Sequence, residues 1–349
     1  MQHDNTRCTG SEGGLSGSKM KTLAALVVVT LAFLGATHAD DVITLRFSHV
    51  VAPDTPKGMG AEKFKALAEL YTHGKVKVEV YPRSQLYRDQ EELEALQLGA
   101  VEMVAPSLAK FGPLGAKEFE VFDLPYLFPD RTALRAVTQG PIGRDLLKGL
   151  EGKGIRGLAF WDNGFKIMSA NKPIRRPEDL VGLRMRIQPS RVLQAQMAAL
   201  GVVPQVIPLP EVYQALQMGV IDGTENPPSN MLAQKLHEVQ AHATLTNHGY
   251  LGYAVIVNKA FWDGLPRDIR AALERAMAEA TTYTNGIAAT ANERAIAEMK
   301  ASAQVEFHVQ TAEERQAWTA ALAPVYADVA ARIGQDRIDA IRAATGMTQ

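Results

Sequence analysis

The sequence predicts an α/β protein built from two similar lobes, and three observations support this fold class. Strand-like and helix-like patterns alternate along the chain, a nine-residue pattern recurs at a constant offset of 120 residues, and one helical tract runs from residue 265 almost to residue 302. Alternating strands and helices are typical of sheets that are covered by helices. A recurring unit indicates two lobes that face each other, and a cleft between domains is a preferred ligand site.

The first part of the chain reads as strands that alternate with amphipathic helices. Residues 75–81 (KVKVEVY) alternate between apolar and polar side chains, as a half-buried strand does. Asp89 and Glu92 have the spacing of a capping box at the start of a helix. This alternation indicates a mostly parallel sheet. The predicted elements are strands over 42–49, 75–81 and 100–105 and helices over 59–70 and 90–98.

The stretch 182–230 organises the second part of the chain. Its first strand places apolar side chains on one face and Arg184 and Arg186 on the other. The segment 221–228 (IDGTENPP) is polar and rich in turn-forming residues, so it reads as a loop. Ligand groups are expected at such strand ends and loops, where open α/β sheets bind ligands. The elements in between are a helix over 191–200, a strand over 202–207 and a helix over 211–218.

The recurring pattern relates residues 94–102 (EALQLGAVE) to residues 214–222 (QALQMGVID). Any two strand–helix–strand units share some features, so chance is the alternative to two lobes of like construction. The tract from 265 to 302 has apolar side chains at helical spacing and abundant alanine. It lacks the persistent heptads of a coiled coil, so we expect it to brace both lobes.

Residues 19–39 have the features of a secretory signal peptide. Two lysines precede an apolar core over 23–34, and Ala39 ends a segment of small residues that suits cleavage. The core is shorter than a membrane span, which needs about 20 residues, so an uncleaved anchor is the less favoured alternative. Residues 1–18 are polar and precede Met20, which favours Met20 as the translation start. We therefore expect a periplasmic protein, cleaved near Ala39.

Composition excludes several classes of partner. The chain carries 37 Lys and Arg against 38 Asp and Glu, a balance that gives no electrostatic basis for binding nucleic acid or a membrane surface. Its one cysteine, Cys8, precedes the predicted cleavage point. The exported part is therefore expected to contain no thiol, no disulfide and no cysteine-based metal site.

The catalytic patterns in the sequence are all incomplete. Ser107 and Lys110 fit S-x-x-K, but the partner motifs that give this pattern its meaning are missing. His237 and His242 are five residues apart, whereas a zinc-binding helix needs a spacing of four. No phosphate loop, dinucleotide fingerprint or G-x-S-x-G motif occurs. The sequence therefore predicts no enzyme activity, no metal and no cofactor.

Two cations and an amide are the first candidate ligand groups. Arg186 offers a planar fork that matches a carboxylate, and it stays charged when it is desolvated. Lys166, in the segment 161–166 (WDNGFK), could hold a second carboxylate as a point charge. Asn226 precedes two prolines and could bridge ligand oxygens. On local grounds the alternatives are a solvated strand arginine and, at Asn226, ordinary turn chemistry.

Seven segments, in order and over essentially all of residues 43–345, together resemble the DctP group of TRAP-transporter solute-binding proteins. They are FSHVVA at 47–52, SQL at 84–86, WDNGFK at 161–166, GLRMR at 182–186, EVYQALQ at 211–217, DGTENP at 222–227 and TNH at 246–248. The resemblance implies a two-lobed periplasmic-binding-protein fold with a hinge and a long helix crossing both lobes. The lobes implied are lobe I over 40–163, with 251–285 returning to it, and lobe II over 164–250, with 286–349 packing against it.

The resemblance also implies a function. Such a receptor delivers an organic acid to a small and a large membrane subunit, and an ion gradient drives the uptake. The family's carboxylate-binding arginine falls on Arg186 and its asparagine on Asn226. A second basic position, arginine in the sialic-acid receptors, falls on Lys166, and their ligand-packing aromatic falls on Leu209. These departures argue against a sialic acid. Further residues expected near the ligand or its supports are His49, Lys57, Ser107, Asn163, His248 and Tyr250.

Three segments are similar to the receptors for four-carbon dicarboxylates: Phe165 with Lys166, Pro227 with Pro228, and 247–250 (NHGY). We therefore expect succinate, malate or fumarate as the ligand, held in a closed cleft with cationic or donor groups at both ends. The first alternative is another organic acid in the same fold, such as an aromatic, keto or sugar acid. The second alternative is an exported enzyme that acts on an organic acid.

Overall fold

The computed structural model describes residues 42–346, so the predicted signal peptide lies outside the described residues. The strands in this range are β1 (Ile43–Ser48), β2 (Val76–Tyr81), β3 (Met103–Val104), β4 (Ile155–Phe165), β5 (Ile167–Ala170), β6 (Arg184–Ile187), β7 (Val203–Val206), β8 (Gly223–Asn226), β9 (His242–Leu245), β10 (Tyr250–Asn258) and β11 (Glu306–Val309). The α-helices are α1 (Pro56–Tyr71), α2 (Glu92–Gln97), α3 (Arg131–Thr138), α4 (Pro141–Gly149), α5 (Arg191–Ala199), α6 (Val212–Gln217), α7 (Pro228–Ala233), α8 (Lys259–Gly264), α9 (Arg267–Ser302), α10 (Ala312–Leu322), α11 (Pro324–Ile333) and α12 (Gln335–Thr345).

The strands form two sheets, one in each lobe. The first sheet has the order β2-β1-β3-β10-β4 and the second has the order β11-β9-β5-β8-β6-β7. β1 pairs in parallel with β2 and β3, but β10 runs antiparallel to both β3 and β4. In the second sheet β5 is antiparallel to both β8 and β9. The strands before residue 150, β1, β2 and β3, run parallel to one another, so the expectation of a mostly parallel sheet is confirmed there. β10, which returns from the second lobe, runs opposite to the other four strands of the first sheet.

Two strand connections cross between the lobes and form the hinge. β4 and β5 are separated only by Lys166, and β9 leads into β10 through residues 246–249. The backbone N–H of Lys166 donates to the carbonyl of Gly249 at 2.8 Å, so the two crossings are bonded to each other. In two-lobed proteins, a few residues in such crossings absorb the rotation that closes the lobes.

The long helix α9 spans 36 residues and packs into both lobes. Its first half places Leu273 and Met277 in the hydrophobic core of the first lobe. Its second half places Ala295 and Met299 in a core of the second lobe. The prediction that this helix braces both lobes is confirmed.

Between its two apolar halves, α9 binds the hinge strand through buried asparagines. Asn285 Oδ1 accepts a hydrogen bond from the backbone N–H of Asp162 at 2.7 Å, and Asn292 Nδ2 donates to the carbonyl of Asn163 at 2.7 Å. Asn292 Oδ1 also accepts from the backbone N–H of Ser229, at the start of α7, at 2.9 Å. These bonds satisfy buried backbone groups of β4 and α7. The helix therefore fixes the hinge strand and α7 relative to each other.

The recurring sequence pattern corresponds to a similar structural unit in each lobe. Glu102, which ends the first copy, accepts hydrogen bonds from the backbone N–H of Arg46 at 2.8 Å and from its guanidinium. Asp222, which ends the second copy, accepts from the backbone N–H of Arg184 at 2.8 Å and from its guanidinium. Each carboxylate thus holds an arginine on the first strand of its own unit. Arg184 is therefore occupied by a structural partner.

The segment 221–228 contains a strand and the start of a helix, so the prediction of a loop there is wrong. β8 lies inside the second sheet between β5 and β6. Its side chains Thr224, Glu225 and Asn226 are all buried. A buried strand with polar side chains has the composition of a loop, because its side chains find partners in the protein instead of in water.

The start of α2 also differs from the prediction. α2 begins at Glu92, and its N-cap residue Glu91 makes no side-chain capping bond. The carboxylates of Asp89 and Glu92 both bind Lys110 instead. The strand expected over 100–105 is reduced to Met103–Val104. The spacing that suggested a helix cap therefore belongs to a buried ion-pair cluster.

The C-terminal helices contact residues of both predicted lobes. α10 and α11 pack against α5, whereas α11 also packs against the 3-10 segment Lys117–Asp123 and α12 packs against α3. Tyr326 donates from its hydroxyl to the Pro125 carbonyl at 2.8 Å. Within residues 42–346 no helix has the length and apolar character needed to cross a membrane. The same range contains no group of three or more His, Cys, Asp or Glu side chains placed to hold a metal ion.

We predict that Asn292→Ala lowers the free energy of unfolding by about 1–3 kcal/mol, because it leaves buried backbone groups without partners. Denaturant unfolding followed by circular dichroism measures the change. Arg294→Ala is the matched control, since Arg294 lies two residues away on the exposed face of α9 and pairs with Glu298. Equal effects of the two substitutions would show that the asparagine does not hold the hinge strand.

Candidate ligand-binding site

A narrow cavity lies between the two lobes, and polar or charged side chains of both lobes reach it. The first lobe lines it with Val50, Val51, Lys57, Asp89, Ser107, Lys110, Leu251 and Tyr253, and the second lobe lines it with Arg186, Gln188, Leu209, Asn226 and Asn230.

Arg186 is the cation that the second lobe brings to the cavity. Arg184 and Arg186 share one face of β6, but Arg184 lies at the outer end of the strand, whereas Arg186 is 2% exposed. Within residues 42–346 the one hydrogen bond of its guanidinium runs from Nε to the carbonyl of Ile207 at 2.8 Å. Burial lowers the pKa of Arg186, and Asp89 and Glu225 offset part of this effect. Its two Nη nitrogens are available to an anion.

Lys57, in the first turn of α1, is a second buried cation. Its Nζ donates to the carbonyl of Ala105 at 2.8 Å and lies 3.8 Å from the centre of the Tyr253 ring. Burial lowers the pKa of Lys57 to about 7, and Glu92 offsets only part of this effect. A carboxylate bound next to Nζ would favour the charged form, which burial disfavours. Lys57 is thus a cation whose charge depends on what occupies the cavity.

Lys110, by contrast, already has two carboxylate partners. Its Nζ contacts both Asp89 and Glu92, and all three groups are buried. Burial by itself raises the pKa of Asp89, but Lys110 and Arg186 lower it to about 2. Burial raises the pKa of Glu92. Asp89 therefore stays ionised, and the positive charge of Lys110 is largely balanced within the protein.

Two polar contacts join the lobes at the cavity. Gln188 Nε2 donates to Ser107 Oγ at 2.6 Å. The backbone N–H of Leu209 donates to Asp89 Oδ2 at 2.7 Å. Because each contact joins a residue of one lobe to a residue of the other, the structure represents a closed cleft.

Asn226 lines the cavity from β8, and its Nδ2 lies 3.5 Å from Thr224 Oγ1. Asn163 does not line the cavity. Its Nδ2 donates to the hydroxyl of Tyr253 at 2.9 Å, and its Oδ1 accepts from Ser229 Oγ at 2.9 Å. Because Tyr253 does line the cavity, Asn163 supports the site through that tyrosine.

Lys166 and His248 lie in the hinge crossings and not in the cavity. Lys166 Nζ donates to Glu225 Oε1 at 2.7 Å, and His248 Nε2 lies 2.9 Å from Glu225 Oε2. Burial alone raises the pKa of Glu225, but Lys166 and His248 lower it to about 2. Lys166, which the sequence suggested for a second ligand carboxylate, thus has its counter-charge within the protein and does not line the cavity. We call these three residues the hinge ion cluster.

His49 and Tyr250 are buried but do not line the cavity. Neither ring nitrogen of His49 has a hydrogen-bond partner within residues 42–346. Burial and the charge of Lys57 lower the pKa of His49 to about 3, so its ring is neutral. Tyr250 packs between the rings of Phe128 and Phe165.

Of the nine residues expected near the ligand, the structure brings four to the cavity: Arg186, Asn226, Lys57 and Ser107.

The polar lining residues that sequence reasoning missed are Asp89, Lys110, Gln188, Asn230 and Tyr253. One of them had a visible signal. The backbone N–H of Lys110 donates to the carbonyl of Ser107 at 3.0 Å, so the S-x-x-K spacing places both residues in one turn beside the cavity. The spacing was therefore informative about position. Asp89 was not predicted to line the cavity, because its spacing from Glu92 was interpreted as a helix cap.

Two α/β lobes that close at a hinge over a buried, cation-lined cavity define the architecture of a solute-binding protein. This chain belongs to the DctP family, described as bacterial extracellular solute-binding protein, family 7, which matches residues 47–333. The resemblance seen in the sequence is therefore confirmed.

Relatives of this chain are similar over nearly its whole length. It is 64% identical to the C4-dicarboxylate-binding periplasmic protein DctP of Rhodobacter capsulatus over 327 residues, which cover 93% of this chain and 98% of that protein. A TRAP periplasmic solute binding protein from Sulfurospirillum deleyianum, solved with bound succinate, is 44% identical with a TM-score of 0.84 and covers 87% of this chain and 99% of its own. Another from Pseudomonas aeruginosa, solved with bound L-malate, is 44% identical with a TM-score of 0.80 and covers 82% and 99%. The predicted two-lobed fold is confirmed.

For the hinge ion cluster we predict that Glu225→Gln lowers the free energy of unfolding by about 3–5 kcal/mol, because it leaves Lys166 buried without a counter-charge. Thermal and denaturant unfolding measure the change. In the wild type, the contribution of Glu225 is present above its ordinary pKa of 4.5 and is lost as the pH falls towards 2. Asp222→Asn, three residues earlier, is the control and should cost much less, because the Asp222–Arg184 pair is partly exposed. A stable Glu225→Gln variant would contradict the structural role of the cluster.

Proposed function

We propose that this protein is the extracytoplasmic receptor of a TRAP transporter and that it binds a C4-dicarboxylate (succinate, malate or fumarate) in the cavity between its lobes. The observation that carries the proposal is the buried guanidinium of Arg186, whose Nη nitrogens have no partner within residues 42–346. A buried charge is costly unless it is paired. A ligand carboxylate supplies the pairing, in the bidentate geometry that arginine favours.

The second carboxylate of the ligand belongs, in this proposal, beside Lys57. Its Nζ has a carbonyl and an aromatic ring as neighbours, whereas Lys110 is already shared by two carboxylates. Lys57 therefore takes the role that the sequence suggested for Lys166. Cations from opposite lobes then hold the two ends of a dianion. Ser107 and Asn226, one from each lobe, supply neutral hydrogen bonds to the remaining oxygens.

Ligand binding and closure of the cleft are coupled in this arrangement. A dianion that touches Lys57 and Arg186 at the same time contacts both lobes, so its affinity for the closed state exceeds its affinity for the open state. Such a difference in affinity shifts the population towards the closed state. The membrane subunits then receive the solute from a closed receptor.

The relatives support the choice of ligand. The Rhodobacter capsulatus relative is named as C4-dicarboxylate-binding, and the two solved relatives hold succinate and L-malate. These similarities favour a dicarboxylate over the other organic acids, and no catalytic activity is proposed.

The location and partners follow from the same proposal. The family is one of extracellular receptors, and residues 19–39 have the pattern of a signal peptide. We propose that the chain is exported to the periplasm, that it is cleaved near Ala39, and that it delivers its solute to a small and a large membrane subunit. An ion gradient would drive the uptake.

We predict that the wild type binds succinate, malate or fumarate in calorimetric titrations, and that Arg186→Ala weakens this binding by about 2–5 kcal/mol because a buried ligand charge loses its partner. Arg184→Ala is the matched control, because this arginine lies on the same strand face but pairs with Asp222 outside the cavity. It should leave the affinity unchanged. No binding of any of the three acids by the wild type, or equal affinities of the two variants, would contradict the proposal.

We also predict that the affinity for the dicarboxylate falls as the pH rises above 7. Lys57, whose pKa is about 7 in the unliganded cavity, must be protonated to pair with a carboxylate, so binding takes up a proton above that pH. Titrations at pH 6, 7, 8 and 9 should show a dissociation constant that rises by up to about tenfold per pH unit above pH 7. Lys57→Met should remove this dependence. A constant affinity of the wild type from pH 6 to pH 9 would contradict the role of Lys57.

A further inference from the structure

Asn230 lines the cavity and has a solvent-shielded side-chain acceptor without a hydrogen-bond partner within residues 42–346. The residue lies in α7 and is 3% exposed. Its Nδ2 is directed at the hydroxyl of Tyr253 at 3.5 Å, whereas its Oδ1 has no partner within residues 42–346. A buried acceptor that makes no hydrogen bond destabilises the closed state, so a ligand that donates to it would gain affinity.

The position of Asn230 is fixed by its neighbours. The residue before it, Ser229, is held by two hydrogen bonds. Its backbone N–H donates to Asn292 Oδ1 at 2.9 Å, and its Oγ donates to Asn163 Oδ1 at 2.9 Å. Asn163 in turn donates to the hydroxyl of Tyr253 at 2.9 Å. This network anchors α7 to the long helix and to the hinge strand. The amide of Asn230 is therefore a preorganised part of the cavity wall.

The candidate ligands differ in whether they carry a hydrogen-bond donor for the Oδ1 of Asn230. Ionised succinate and fumarate carry only acceptor oxygens, which suit the cations Arg186 and Lys57. Malate carries the same two carboxylates and, in addition, one hydroxyl donor at C2. A site with a buried acceptor discriminates against an analogue that lacks the matching donor.

We propose that Asn230 Oδ1 accepts a hydrogen bond from the C2 hydroxyl of the ligand and makes this receptor prefer a 2-hydroxy dicarboxylate of the malate type over succinate and fumarate. This inference rests on the proposed function, because it presupposes that a C4-dicarboxylate occupies the cavity. It concerns selectivity within that class of ligand.

Calorimetric titrations of the wild type and of Asn230→Leu with L-malate, D-malate, succinate and fumarate test the inference. The wild type should bind one enantiomer of malate on the order of tenfold more tightly than succinate or fumarate. Asn230→Leu, which keeps the volume of the side chain but removes its acceptor, should bring malate and succinate to within about twofold of each other. This convergence should come from weaker malate binding, while succinate binding is retained. Asn230→Ala should give the same convergence if the leucine variant does not fold.

Gln234→Leu, at the C-terminal end of the same helix and outside the cavity lining, is the control and should leave the ratio of affinities unchanged. Equal affinities of the wild type for malate and succinate would overturn the inference. So would equal losses for both acids in Asn230→Leu, because they would place the amide against a carboxylate. In these two cases the proposed function stands. If the wild type binds none of the four acids, the proposed function and the inference both fail.

Discussion

The interaction on which the proposed function depends is the pairing of a buried guanidinium with a carboxylate of the ligand. Arg186 is removed from solvent, yet within residues 42–346 its side chain has only one hydrogen bond, to a carbonyl. Leaving such a charge unpaired is costly, and this cost is the reason for proposing that a carboxylate binds in the closed cleft. The buried cations Lys110 and Lys166 differ from Arg186, because each forms an ion pair with a carboxylate of the protein.

The fold therefore contains two kinds of buried cation. Lys110 and Lys166 pair with carboxylates of the protein, whereas Arg186 and Lys57 are the cations proposed to bind the ligand. Glu225 binds Lys166 where the chain crosses between the lobes, and it lies next to Asn226 on the same strand. A single strand of the second sheet thus contributes both to the hinge ion cluster and to the cavity wall. The long helix completes the arrangement, because its buried asparagines hold the hinge strand and α7. Positions around the cavity are therefore set in part by groups that do not line it.

The sequence predicted the elements whose patterns depend on local chemistry and missed those set by tertiary partners. The alternation of β6 and the length of α9 were readable, because periodicity determines them, whereas the ligand role of Arg186 stays a prediction. Lys166 was misread, since its counter-charge lies 59 residues away on a strand that looks like a loop. Lys57 was only a secondary candidate, because its position at the cavity, with a carbonyl and an aromatic ring beside its Nζ, is visible only once the lobes are assembled. Ion pairs between residues that are far apart in the sequence cannot be predicted from a single sequence.

A crystal structure of the protein with L-malate or succinate tests the central claim most directly. The account predicts one carboxylate in bidentate contact with the guanidinium of Arg186 at about 2.7–2.9 Å, and the other on the side of Lys57. Lys166 should remain bound to Glu225 in that complex. An acid bound elsewhere, with the guanidinium of Arg186 facing solvent and no anion beside it, would contradict the account.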